Sequence, residues 1–131
     1  MHDSINDNLQ SFQRIFLEAC SESDVDPKNI SIVAVSKKKD VSLIRAVYEN
    51  GFGDFGENFA QELSEKSNQL KDLDIVWHYI GPIQSNKVIL VAANAHMVQS
   101  IDREKIISKL NSYCSEIQKG MSECVQVNID N

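Results

Sequence analysis

Ile30-Ser-Ile-Val-Ala-Val-Ser-Lys-Lys-Lys39 is the stretch on which the reading of this 131-residue chain turns. Residues 30 to 36 have the length and β-branched content of a strand covered on both faces, as in parallel sheets flanked by helices, and the run ends abruptly in lysines. In such sheets ligands gather beyond the carboxyl ends of the strands, where Lys37 falls. A lysine partly withdrawn from water loses some of its preference for the ammonium form, so the free amine can attack a carbonyl and form a Schiff base. The plainer reading of the same residues is a strand followed by a solvated lysine loop, because charge runs usually face water.

Outward from this stretch, strand and helix signals alternate. Ile5, Leu9, Phe12, Ile15, Phe16 and Cys20 recur at intervals of three and four, which predicts a leading amphipathic helix over about residues 4–21. Residues 21–28 are polar and contain Pro27, a turn into the central strand. After the lysines, Asp40 reads as the N-cap of a helix with Leu43, Ile44 and Val47 on its apolar side, and Gly51 as its left-handed end. A second strand is expected at 53–57 and a helix over 58–71, with Asn58 either its cap or a polar group aimed at a ligand.

Residues 75–80 predict a third strand, stopped by Gly81-Pro82. His78 within it reads most simply as a hydrogen-bonded core residue. The loop Ile83-Gln-Ser-Asn-Lys87 leads to an apolar helix over 88–95, and Ser85 either caps that helix or helps close a ligand mouth together with Lys87. A fourth strand is expected at 97–101. Asp102 then caps a helix with Ile106, Leu110, Tyr113, Cys114 and Ile117 on its buried side, Gly120 ends it, and residues 123–129 supply a fifth strand. Strict alternation implies right-handed crossovers and one parallel sheet, hence a single α/β domain across 1–131, with the polar residues after the strand ends gathered on one side.

Charge narrows the partners. Thirteen basic against nineteen acidic residues give a net charge of -6, and no basic stripe is interleaved with aromatics, so nucleic acid is not an expected partner. No apolar run approaches the roughly 18 residues of a membrane span and the start carries no signal-peptide pattern, so a cytoplasmic protein without a membrane partner is expected. Cys20, Cys114 and Cys124 lack a Cys-x-x-Cys pair, which suits reduced core thiols better than disulfides or a metal.

Four blocks carry a resemblance: Ala34-Val-Ser-Lys37; Phe55-Gly-Glu-Asn-Phe59 with Gln61-Glu62; Trp77-His-Tyr-Ile-Gly-Pro-Ile-Gln-Ser-Asn-Lys87; and Gln99-Ser-Ile-Asp102. In order and spacing, across roughly residues 30 to 130, the chain resembles the pyridoxal 5'-phosphate (PLP) homeostasis proteins. It departs from the family pattern at Tyr79, where Phe or Met is usual, and at Asp40, where Pro is common.

The resemblance implies a parallel (β/α)8 TIM barrel of the alanine racemase type, here only its first five strands, with 1–131 as the amino-terminal part of one barrel domain. It also implies a PLP Schiff base on Lys37, with Asn58 close to the cofactor and His78 and Ser100 as further pocket residues. The implied role is to carry and buffer PLP for PLP-requiring enzymes and to influence amino-acid and keto-acid balance, with no catalytic residues assigned and no established turnover reaction. Tyr48, Tyr79 and Tyr113 then read as packing residues. A racemase or decarboxylase fragment that needs a partner chain, or an inert fragment, are the alternatives. A complete barrel of this kind takes about 250 residues and commonly builds its phosphate site after strands seven and eight. Open edges on the first and fifth strands, self-association through them or a need for the other half of the barrel, and weak PLP affinity are therefore expected.

Overall fold

Residues 3–129 are described by a computed structural model. They run α1 (Asp3–Glu22), β1 (Ala34–Val35), α2 (Val41–Glu49), β2 (Asp54–Glu57), α3 (Ala60–Gln69), β3 (Val76–Tyr79), α4 (Val88–Asn94), β4 (Met97–Ile101), α5 (Glu104–Glu116) and β5 (Ser122–Val125). The five strands form one sheet in chain order, every neighbouring pair parallel. This is the α/β alternation that the apolar spacing requires.

Side chains alternate across a strand, so each strand has one face toward the helices and one away. The helix-facing side carries the core: Phe55, Trp77, Tyr79 and Val98 from the sheet pack with Ile44, Leu63, Val91, Ile106 and Leu110 from the helices. On β2, Phe55 and Glu57 take that side, and Asp54 and Gly56 take the other. A Cβ on Gly56 would meet Ile80 Cδ1 at 3.0 Å and Val33 Cγ1 at 3.2 Å, which places those residues on the far face too. That face is thinly covered: Val35 and Val76 keep 54% and 40% of their surface in water. The first and fifth strands are the open edges, and Val125 on β5 is 60% exposed.

Several local expectations need correction. The strand expected over 30–36 pairs as a ladder only at Ala34–Val35, with Ser36 N still donating to Gly56 O, because the register Ala34 to Phe55 leaves residues 30–32 with no part of β2 opposite them. The stripe of α1 is covered in part: Cys20 is buried and Ile5, Leu9 and Phe16 are half-buried, whereas Phe12 and Ile15 are exposed. This helix is moored to the end of α2, where the Asn50 side chain donates to Asn6 Oδ1 at 2.9 Å and the Phe12 and Phe52 rings lie 6.1 Å apart. Cys124 is exposed rather than in the core, and all three cysteines are free.

The caps divide similarly. Asp40 does cap α2, accepting from Leu43 N at 3.0 Å, and Gly51 follows that helix at φ 97°, its N–H on Tyr48 O. Asn58 does not cap α3, and Asp102 does not cap α5; Phe59 and Arg103 occupy those positions and neither side chain supplies a cap hydrogen bond. Ser85 does not cap α4 either, since residues 85–87 form a 3-10 turn into it. The end of α5 is turned by Gln118 at φ 54°, ahead of Gly120. Among the described residues no helix is long and apolar enough to cross a membrane, and no group of three His, Cys, Asp or Glu could hold a metal.

Candidate functional site

The register of the sheet decides which residues share its carboxyl edge. Val35 pairs with Gly56, and Glu57 with Tyr79. Continued past the strand ends, that register sets Lys37 level with Asn58 and Ile80. The run before it is not covered on both faces, since Ile30 and Val35 are exposed, and Lys37 is exposed too rather than partly withdrawn from water; it forms no hydrogen bond or ion pair with the described residues.

Lys37 rides on a tight turn in which Lys39 N donates to Ser36 O at 3.1 Å. The turn puts Lys38 at φ 60°, a left-handed conformation that costs a residue with a Cβ about 1–2 kcal/mol. It is held from beneath. Ser36 N donates to Gly56 O at 3.0 Å, and Ser36 Oγ donates to Glu57 Oε2. Lys66, from α3, donates to Ser36 O at 2.6 Å, to Glu57 Oε2 at 3.0 Å and to Glu62 Oε2 at 2.8 Å, which uses all three ammonium protons. Glu62 Oε2 also accepts from Lys38 N at 2.7 Å.

The cluster sits under α3, on the helix-facing side of the sheet. Glu57 is fully buried and Lys66 nearly so. Burial pushes the Glu57 carboxyl up, against the hydrogen bonds from Ser36 and Lys66, and its Oε1 has no partner. Burial also acts on Glu62, but there the hydrogen bonds from Lys66 and Lys38 N outweigh it and hold the carboxyl below its usual range.

Asn58 lies at the end of β2 beside a closely packed corner. Tyr79 directs its hydroxyl at Asn58 O, 2.8 Å away, and at Pro82 O, 2.9 Å away, so it does more than pack. A Cβ on Gly81 would lie 2.1 Å from Asn58 O, so the approach requires glycine. Asn58 Oδ1 is buried without a partner, an unusual state for a polar atom. Ser100 is buried and spends its hydroxyl on Gly81 O, which fastens the same corner from β4.

His78 sits one pleat back from Lys37 on the far face, level with Gly56. Its ring is engaged at both nitrogens: Gln99 Nε2 donates to Nδ1 at 2.8 Å, so Nε2 carries the proton and donates to Asp54 Oδ2, also at 2.8 Å. The four sequence candidates thus divide. Lys37 and Asn58 come to one edge with polar atoms free, Ser100 braces the corner beside them, and His78 belongs to a chain of hydrogen bonds behind. The polar cluster of Ser36, Glu57, Glu62 and Lys66 was not anticipated; its one local signal is the spacing of four between Glu62 and Lys66. A concavity of about 550 Å³, lined by Phe16, Leu17, Ile30, Ile32 and Phe52, lies at the opposite, amino-terminal end of β1 and β2, so it plays no part in this arrangement.

Fold and site together define a class: an α/β protein whose parallel sheet presents a clamped lysine turn at its carboxyl edge. No protein-family model matches the chain. It is 36% identical over 126 residues to the pyridoxal phosphate homeostasis protein of Pseudomonas aeruginosa, covering 96% of this chain and 55% of that one. The proteins of the same name from Vibrio alginolyticus and Escherichia coli are 42% identical over 106 residues and 33% over 130, with 78% and 97% of this chain and 46% and 56% of theirs covered. By sequence, then, the chain is a homologue of the pyridoxal phosphate homeostasis proteins, and it spans about half the length of the curated relatives it matches.

Solved structures agree. PipY of Synechococcus elongatus, solved without PLP, superposes with a TM-score of 0.77 at 30% identity, covering 89% of this chain and 55% of PipY. PipY with PLP bound gives 0.76 at 31% identity, covering 88% of this chain and 55% of PipY. A protein of unknown function from Bifidobacterium adolescentis shares the fold, with a TM-score of 0.84 at 20% identity and coverage of 94% of this chain and 56% of that one. The five parallel strands and their helices are therefore those of a partial TIM-barrel-like domain.

Proposed function

We propose that residues 1–131 form the amino-terminal part of a single (β/α)8 barrel that binds pyridoxal 5'-phosphate through Lys37 and serves PLP homeostasis in the cytoplasm. The observation that carries this reading is the pairing, on one sheet edge, of a lysine amine without a partner and a buried Asn58 Oδ1 without a donor. When bound, PLP supplies an aldehyde that condenses reversibly with a primary amine, releasing water and leaving a C=N bond. Lys37 provides the amine, and Asn58 Oδ1 provides an acceptor for a hydroxyl or ring N–H of the ligand. Ser100 and His78, whose polar atoms are already engaged by the protein, shape the wall of the pocket rather than bond the ligand.

The residues fit the aldehyde end of such a ligand better than its phosphate end. Barrels of this type commonly hold phosphate with loops after strands seven and eight, and five strands are present here.

The relatives are named homeostasis proteins, not enzymes, and a carrier role without turnover follows for this chain on the same reading. Tyr79, a candidate proton donor by residue type, has its hydroxyl tied to two carbonyls and is pushed up by burial, so it stays a neutral brace. PLP-requiring enzymes are the recipients on this reading, and the open edges at β1 and β5 support self-association.

The test is to incubate the chain with PLP, reduce with borohydride and map modified lysines by mass spectrometry. Label concentrated on Lys37, together with saturable visible absorbance that Lys37→Ala abolishes, is the expected result. Label scattered evenly over Lys38, Lys39 and Lys87 would overturn the reading.

A further inference from the structure

The two residues flanking Lys37 are tied to one cluster, while Lys37 itself forms no hydrogen bond or ion pair with the described residues. Ser36 is held on one side by Lys66 and Glu57, Lys38 on the other by Glu62, and Lys66 joins all three. Nothing in the cluster faces the open side of the sheet: Glu57 points toward α3, and Lys66 and Glu62 come from α3 itself.

We infer that Glu57, Glu62 and Lys66 are positioning residues that fix the direction of Lys37 by clamping the turn 36–39. The inference rests on the reading of Lys37 as the amine that takes the aldehyde. A turn with Lys38 at φ 60° is disfavoured for a residue with a Cβ, and here Ser36 O is bonded to the Lys66 ammonium and Lys38 N to its ion-pair partner Glu62. Loosening the clamp leaves Lys37 chemically intact but no longer aimed, so it should react as any surface lysine does.

The cluster differs from a merely structural ion pair in what it controls. A structural pair would change melting temperature and leave local order and lysine selectivity alone. The clamp instead sets the exchange of one amide, that of Lys38, and the preference of an aldehyde for Lys37 over Lys38 and Lys39.

The experiment compares the intact chain with Glu62→Ala, Glu62→Gln and Lys66→Met. Glu62 is part-exposed on α3, so its variants remain folded even where Lys66→Met does not. In Glu62→Ala, exchange at the Lys38 amide quickens by about tenfold or more while β3 amides are unchanged, and borohydride-trapped PLP loses its preference for Lys37. Glu62→Gln keeps an acceptor oxygen and restores most of both. Unchanged Lys38 exchange and unchanged labelling selectivity in a folded Glu62→Ala chain would overturn the clamp. If the intact chain shows no preference for Lys37 at all, the PLP reading fails, and amide exchange at Lys38 alone still decides whether the clamp exists.

Discussion

Replacing Gly81 with alanine tests the geometry of the carboxyl edge most directly. The added Cβ would stand 2.1 Å from Asn58 O, 2.7 Å from Asn58 Cα and 2.8 Å from Asn58 C. Unstrained carbon contacts lie at about 3.5–4.0 Å, so the ends of β2 and β3 must separate by about 1 Å. All three neighbours are backbone atoms, and they are pinned by the Tyr79 hydroxyl at 2.8 Å to Asn58 O and 2.9 Å to Pro82 O and by Ser100 Oγ on Gly81 O. Overpacking of this kind typically costs about 1–3 kcal/mol, and disturbing the Tyr79 hydrogen bond adds about 1 kcal/mol. A loss of about 3 kcal/mol is a large share of the roughly 5–15 kcal/mol that holds a domain together. It corresponds to a fall in Tm on the order of 10 °C.

The assay is a thermal melt followed by circular dichroism, with Gly53→Ala as the control. Gly53 has a conformation open to any residue and nothing within 4 Å of the added atom, so the control should stay within about 0.5 kcal/mol of the parent. Borohydride trapping on the folded fraction should also show weaker labelling of Lys37, because Asn58 Oδ1 moves with its backbone. A Gly81→Ala chain that melts with its Gly53→Ala counterpart would refute the packing described for this corner.

Tyr79→Phe should cost about 1 kcal/mol in urea unfolding, since it removes the donor to Asn58 O and Pro82 O while keeping the buried ring. Glu57 and Glu62 set opposite arms of the stability profile. The folded chain keeps the Glu57 proton above the usual 4.5, so stability falls as pH rises through that window, and Glu57→Gln should flatten this arm in melts taken from pH 4.5 upward. Glu62 is held below 4.5, so its contribution is present above that pH and is lost as pH falls further; Glu62→Gln should flatten the acid arm only. At the open edge, Val125→Lys should lower the weight-average mass in sedimentation equilibrium, because an inserted lysine blunts strand pairing; a parent chain that is monomeric at every concentration would remove the basis for self-association.

The alternation of strands and helices is legible in the chain because periods of two and of three to four are properties of local sequence, and the order of the five strands follows from it. Strand lengths are less so. The run Ile30–Ser36 is rich in β-branched residues, yet ladder pairing is confined to Ala34–Val35, because a ladder needs a neighbour that the sequence of one segment does not specify. The caps show the same boundary. Asp40 is a cap by local chemistry alone, whereas at Asn58 and Asp102 the same residue types sit one step too early for the cap. Lys37 was visible as an amine after a strand, and its register with Asn58 followed from the topology. The clamp was not visible: Ser36, Glu57 and Lys66 are brought together by a strand pairing and a crossover helix, and nothing local marks Lys66 as buried.

The clamp also bears on why charges are buried here at all. An acid and an amine paired out of water under α3 recover little net stability from each other, and well-packed apolar residues in their place are often as stable or more so. Stability alone therefore does not account for Glu57 and Lys66, and the unpartnered Glu57 Oε1 adds to their cost. What apolar residues could not do is bond Ser36 O and Ser36 Oγ, or draw Glu62 onto Lys38 N. A double variant, Glu57→Leu with Lys66→Met, separates the two roles. It should unfold within about 2 kcal/mol of the parent, since both charges leave together, while the Lys38 amide exchanges faster and Lys37 loses its advantage over Lys38 and Lys39. Severe destabilisation with an undisturbed turn would instead mark the pair as a stability device. The two faces of β2 then carry separate tasks: Glu57 sets the turn from the helix side, and Asp54 and Gly56 leave the opposite side to His78, Ile80 and Val33.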